Sequence, residues 1–319
     1  MHEFELINKY FSKLFSSNKS SLNLNDDVFF DKSKKLVISV DTYVEGVHFI
    51  NFQNPDLVIK KIIRSSISDL ICKGVKPKYY FISGSGNKKT FTKRNLEMIS
   101  KSLHQEQKKF SINLCGGDTT FSKKLSFSIT SVGFSNKIVF RNKAKLNDDI
   151  YVTGNLGDSL IGLKVLQKKI HLNKNLSRYF INKYFHPNLH INITKKLLSI
   201  ANTSIDISDG LVTDLEKLIN NQKLSYELYL NKIPISKNLN RLIDLKIIKK
   251  IESVSRGDDY QILFTASPSK SRIISKISRS LGVKISKIGK ICTHNRRSQI
   301  IDEKNKKIAL KNKGYFHRF

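Results

Sequence analysis

Lys143-Ala144-Lys145-Leu146-Asn147-Asp148-Asp149 is a polar turn, and the apolar, partly β-branched run Ile150-Tyr151-Val152-Thr153 that follows it opens a new strand. The break falls near the middle of a 319-residue chain, leaving a stretch on either side long enough to bury its own core. On the amino-terminal side, Lys35-Leu36-Val37-Ile38-Ser39-Val40 reads as a strand. So does the segment in which Leu125, Phe127 and Ile129 alternate with Ser126, Ser128 and Thr130. Between them, Asn54-Pro55-Asp56 supplies a cap, a first-turn proline and a first-turn acid, predicting a helix that runs up to Gly74 and Pro77. On the carboxyl-terminal side come a glycine turn, Gly154-Asn155-Leu156-Gly157, a helix, and a long helical region around 176–200. A strand-to-helix unit at Ser204-Ile205-Asp206-Ile207-Ser208-Asp209-Gly210 follows, then strands at Gln261-Ile262-Leu263-Phe264 and Lys287-Ile288-Gly289-Lys290-Ile291. The reading is α/β (α+β): two domains in tandem, residues 1–146 and 147–319.

Composition narrows the class. No apolar run reaches the roughly 18 residues that a membrane span requires. The opening Met1-His2-Glu3-Phe4-Glu5-Leu6-Ile7 reads as an amphipathic helix and lacks a basic region leading into an apolar one, so a cytoplasmic protein is expected. The cysteines Cys72, Cys115 and Cys292 lie far apart, form no C-x-x-C pair and read as buried or incidental thiols. A formal net charge of +31 invites a nucleic-acid partner. Yet the lysines are spread through nearly every segment, whereas a nucleic-acid footprint concentrates charge on one face, so a solvated basic surface is the preferred reading.

Against 57 basic residues there are only 26 acids, and many of those stand at strand ends and in glycine-bearing turns. The clusters are Asp26-Asp27, Asp41 with Glu45, Asp69, Asp118, Asp206 with Asp209, and Asp258-Asp259. Singly, each could cap a helix or pair locally. Asp69, flanked by Ile67, Leu70 and Ile71 in a helical pattern, needs a partner, because an unpaired buried acid is costly. If the carboxylates converge, they require cations, and hard oxygen ligands select Mg²⁺ or a similar ion, which in turn suggests phosphates. Gly116-Gly117-Asp118-Thr119-Thr120 could let backbone approach a phosphate. Gly154-Asn155-Leu156-Gly157-Asp158-Ser159 is not a Walker loop, and a tight turn with a helix cap is its preferred reading.

In order and spacing, these segments resemble the thiamine-monophosphate kinase family, within the superfamily of aminoimidazole ribonucleotide synthetase and selenophosphate synthetase. The matching pieces begin with Asp41-Thr42-Tyr43-Val44-Glu45-Gly46-Val47-His48-Phe49, Ser68-Asp69-Leu70 with Lys73-Gly74-Val75-Lys76-Pro77, and Gly116-Gly117-Asp118-Thr119-Thr120. They continue with Val152 to Ser159, Asp206-Ile207-Ser208-Asp209-Gly210-Leu211, Asp259-Tyr260 and a closing Lys313-Gly314-Tyr315. The resemblance implies an ATP-dependent, Mg²⁺-assisted kinase that phosphorylates thiamine monophosphate in line and completes thiamine diphosphate synthesis. It implies metal ligands at Asp27, Ser39, Asp41, Asp69, Asp118, Asp206 and Asp209, with Asp118 and Asp209 catalytic. ATP contacts would fall at Gly117, Asp118, Arg141 and Ser208, and substrate contacts at His48, Asp258 and Tyr315. A homodimer paired through the amino-terminal domain is also implied, with the active site between the two domains.

Three departures stand out. Asn23-Leu24-Asn25 precedes the first acid pair where the family has glycines, Val40 stands where a threonine is common, and Arg256-Gly257-Asp258-Asp259-Tyr260-Gln261 carries Asp258 where the family has glutamate. Alternative readings are another ATP-dependent synthetase of the superfamily, a basic nucleic-acid-binding protein and a non-catalytic homologue.

Overall fold

A computed structural model describes residues 3–11, 14, 18–310 and 314–315. The helix expected at the start is α1 (Glu3–Leu6), continued by a wider turn at Ile7–Phe11; Met1, His2 and Lys313 lie outside the described residues. The first sheet holds β1 (Phe29–Asp31), β2 (Leu36–Val44), β3 (Pro77–Gly86), β4 (Asn113–Phe121) and β5 (Ser126–Phe134), in the order β1-β2-β5-β3-β4. Its pairs are antiparallel except β3 with β4. The second sheet holds β6 (Asp149–Thr153), β7 (Thr203–Asp206), β8 (Leu224–Tyr229), β9 (Ile262–Ala266), β10 (Ile285–Thr293), β11 (Gln299–Ile301) and β12 (Lys307–Ile308). Their order is β12-β11-β8-β10-β6-β9-β7.

The helix α2 (Pro55–Cys72) is the hinge of the architecture. Pro55 starts it without sacrificing a needed N–H, and Asp56 sits favourably in its first turn. Apolar residues then recur around the helix, so it is buried against β2 and β5 on one side and against β7 and α5 (Lys174–Phe185) on the other. Ile59, Ile62, Ile63 and Ile67 are fully enclosed, each contributing roughly 1.5–3 kcal/mol of burial. Gly74 ends the helix at φ +80°, and a Cβ there would stand 2.7 Å from Leu198, so glycine is required twice over. Because α2 is wrapped by both halves, it can turn polar groups to the junction between the sheets. Asp69, Lys61 and Lys73 are such groups.

Among the described residues, nothing covers the opposite face of the first sheet at Val40, Phe81 and Phe134. Val40, Phe81 and Phe134 are 66%, 41% and 52% exposed. Val40 pairs with Thr130, which pairs with Phe81, so the two apolar side chains share a row on one face.

Candidate active site

Three elements bring acids together at the junction. Strand alternation turns Ser39 and Asp41 of β2 the same way, towards α2, where the Ser39 hydroxyl donates to Asp69 Oδ2 at 2.7 Å. Asp41 accepts from the Tyr43 hydroxyl at 3.2 Å, and Asp206 closes the group at the end of β7. Burial pushes the Asp41 carboxyl up to about 6 and that of Asp206 up to about 7. Asp69 is raised well above the usual range by burial and then by the charges of Asp41 and Asp206. Acids held this way, by hydroxyls and with no ion pair among the described residues, suit a hard divalent cation. Among the described residues no three such groups are close enough to hold an ion by themselves, so oxygens from water or a phosphate ligand would complete its shell.

Asp209 follows on the next turn and is paired with Lys217 of α7 (Leu211–Leu218). Lys217 also lies 3.2 Å from Asp214, whose other oxygen accepts the backbone N–H groups of Asp209 and Gly210 at 2.9 and 3.0 Å. Burial raises Asp214 to about 6.

These acids open onto a cavity of about 520 Å³, a size suited to a small ligand. Asp41, Asp69, Asp206, Ser208 and Asp209 are among its lining residues, together with His48, Asp258 and Tyr315. His48 Nδ1 accepts the Val44 N–H at 3.0 Å, which leaves the proton of a neutral ring on Nε2. Asp258, at φ +67°, pairs with Lys61 at 2.7 Å. The Tyr315 N–H donates to the Asp209 carbonyl at 3.1 Å, so Tyr315 is strapped to the acidic turn.

Two groups of expected residues stand apart. Asp27 is bound to Arg141 and to Lys73, so neither its carboxylate nor the Arg141 guanidinium is turned to the cavity as an open ligand. Gly117 and Asp118 are on β4, every residue of which is exposed. Asp41 pairs with Ile129, Ile129 with Ile82 and Ile82 with Gly117, so three strand spacings, roughly 14 Å, separate Asp41 from Gly117. Within one chain, Asp118 does not join the acidic group. Nor do Gly116 and Gly117 form a loop: a Cβ on Gly117 would lie 1.7 Å from the Ile82 carbonyl oxygen, so strand packing demands this glycine. The turn at Gly154–Gly157 has its own anion, since Asp259 Oδ2 accepts the Gly157 N–H at 2.8 Å ahead of α4 (Asp158–Leu166).

The family model described as AIR synthase related protein, N-terminal domain, matches residues 25–135. The thiamine-monophosphate kinase of Buchnera aphidicola subsp. Schizaphis graminum is 35% identical over 324 residues, covering 99% of this chain and 98% of that protein. The chain belongs to the thiamine-monophosphate kinase family. The thiamine-monophosphate kinase of Buchnera aphidicola subsp. Acyrthosiphon pisum is 33% identical, with 99% and 98% covered. A solved structure of AaThiL complexed with AMPPCP and TMP superposes with a TM-score of 0.86 at 27% identity, covering 99% of this chain and 97% of that one.

For a thiamine-monophosphate kinase family member, the residues that sequence reasoning missed are mostly basic. Lys61 and Lys73 are both enclosed on α2, and Lys61 Nζ also stands 3.6 Å from the Tyr184 ring centroid. A signal existed: both lysines interrupt an apolar helical run, where a charge needs a partner.

Proposed function

We propose that the chain transfers the terminal phosphoryl group of ATP to the phosphate of thiamine monophosphate, releasing ADP and thiamine diphosphate. One observation carries this: a single cavity is lined both by the cation-seeking acids Asp41, Asp69 and Asp206 and by the expected substrate residues His48, Asp258 and Tyr315. An acceptor phosphate oxygen attacks the terminal phosphorus in line while the bond to the bridging oxygen breaks. The nucleophile is already an anion, so no general base is required, and the work is placement and charge neutralisation. Asp41, Asp69 and Asp206 would hold Mg²⁺, which would supply neutralisation of the phosphate charge there.

The remaining assignments complete the proposal. Tyr315 offers an aromatic face to a cationic heterocycle, while Asp258, fixed by Lys61, sets a carboxylate charge near it. Ser208 and Asp209 face the phosphates, and Arg141 would reach the nucleotide by exchanging Asp27 for a phosphate oxygen. Gly117 and Asp118 act on the nucleotide from the exposed strand β4. We place the domain division at 146/147, supported by a first sheet that ends at Phe134 and a second that begins at Asp149. A homodimer covering the Val40 and Phe81 face is supported by its exposed apolar area. No described helix is long and apolar enough to cross a membrane, which accords with work in the cytoplasm.

The test is incubation with ATP, Mg²⁺ and thiamine monophosphate, following ADP and thiamine diphosphate. Absence of both products with Mg²⁺, Mn²⁺ and Co²⁺ would overturn the reading.

A further inference from the structure

The Asp26-Asp27 pair differs in kind from the other acids of the junction. Lys73, the residue that ends α2, has a completely enclosed side chain. Its Nζ lies 2.7 Å from Asp26 Oδ1, 2.7 Å from Asp27 Oδ2 and 2.8 Å from the Ser204 carbonyl oxygen. An ammonium has three N–H donors, and here three acceptors take them. Arg141 accounts for the other side: its backbone N–H donates to Asp26 Oδ2 at 2.9 Å, and its guanidinium grips both oxygens of Asp27. All four carboxylate oxygens therefore have donors, and two negative charges meet two positive ones. By contrast, Asp41 and Asp69 are held by hydroxyls alone in the hydrogen bonds described above.

We propose that Lys73 is a built-in cation that takes the place of a divalent ion at the Asp26-Asp27 pair, confining divalent binding in this chain to the Asp41, Asp69 and Asp206 group. The distances favour this. Mg²⁺ sits about 2.1 Å from its oxygens in a near-octahedral shell, whereas the Nζ contacts have the length and the threefold number of an ammonium's hydrogen bonds. Being covalently attached, the charge is present whatever the Mg²⁺ concentration. It therefore keeps β1 and the turn before it docked on α2 without metal. The inference rests on reading Asp41, Asp69 and Asp206 as the divalent site, and the experiment examines that separately.

Bound Mn²⁺ per chain is counted by equilibrium dialysis and electron paramagnetic resonance on the full chain without nucleotide, the state in which Arg141 holds Asp27. Asp27→Asn is expected to leave the wild-type number unchanged. Lys73→Met is expected to add one Mn²⁺ per chain, and the double variant Lys73→Met, Asp27→Asn to lose it again. A lower count in Asp27→Asn than in wild type would overturn the proposal, and that arm decides the matter even if Lys73→Met fails to fold. An unchanged count in Asp69→Asn would instead overturn the reading of the divalent site on which it rests.

Discussion

The ammonium of Lys61 and the carboxylate of Asp258 meet at 2.7 Å across the junction between α2 and the turn before β9, and the two partners are unequally enclosed. The lysine side chain is 1% exposed and the aspartate 29%. Asp258→Asn therefore leaves a buried ammonium uncompensated and should cost about 3 kcal/mol, whereas Lys61→Met leaves a partly hydrated carboxylate and should cost less. Urea unfolding of the two variants measures this order. Equal losses would show that the pair is not the asymmetric contact described.

Loss of Lys61 also leaves the Asp258 carboxylate with the longer contact from the Tyr260 hydroxyl, at 3.2 Å, in place of the ion pair. Lys61→Met is expected to raise KM for thiamine monophosphate about tenfold while changing KM for ATP little, a split readable from steady-state kinetics. A change in the ATP constant alone would contradict the placement of Asp258 on the substrate side.

The acidic group makes stability depend on pH. Folding raises Asp41 to about 6 and Asp206 to about 7, so the folded form holds more protons than the unfolded one. The corresponding stability is full below the ordinary aspartate value of 3.8 and is lost as pH rises through 6 and 7. His186, lowered to about 4 by burial, and His190, also lowered, act oppositely, but only below the ordinary histidine value of 6.5. Metal-free protein should therefore melt at progressively lower temperature from about pH 6.5 to about pH 8, and saturating Mg²⁺ should flatten that slope. A slope unaffected by Mg²⁺ would count against the assignment.

Asp69→Asn removes one of three neighbouring carboxyl groups, which raise one another's proton affinity. Turnover should fall by at least about 100-fold, while the metal-free variant melts higher than wild type at about pH 8. Asp118→Asn should reduce turnover to a similar degree, by about 100-fold, but leave the melting temperature unchanged, because Asp118 is exposed and its carboxylate bonds only locally, to the Thr119 N–H. An unchanged rate would remove Asp118 from the site.

Phe81→Asp places a charge in the exposed apolar row with Val40. Sedimentation should find wild type as a dimer and the variant as a monomer; a monomeric wild type would refute the proposed pairing.

The acids were legible in the sequence because they are scarce: among 57 basic residues, Asp41, Asp69 and Asp206 stand out by position. Lysine abundance had the reverse effect, hiding Lys61 and Lys73 among solvated surface charges. The turn ahead of β6 was visible because its polar run ends abruptly in an apolar one, and β6 begins at Asp149, beside the expected Ile150. Gly116-Gly117 shows the limit. A glycine demanded by a neighbouring strand's carbonyl looks the same in sequence as one demanded by a phosphate. The Asp259 contact with the Gly157 N–H spans 102 positions, a pairing that no local pattern reveals.

The strap between Tyr315 and Asp209 makes Tyr315 part of the reaction chamber. Gly314 fits against Thr213, with room for no Cβ: one would stand 2.1 Å from that hydroxyl. A truncation at residue 310, which would spare every strand and helix described, would therefore behave as an active-site lesion, giving a folded protein that lacks the Tyr315 side of its substrate chamber.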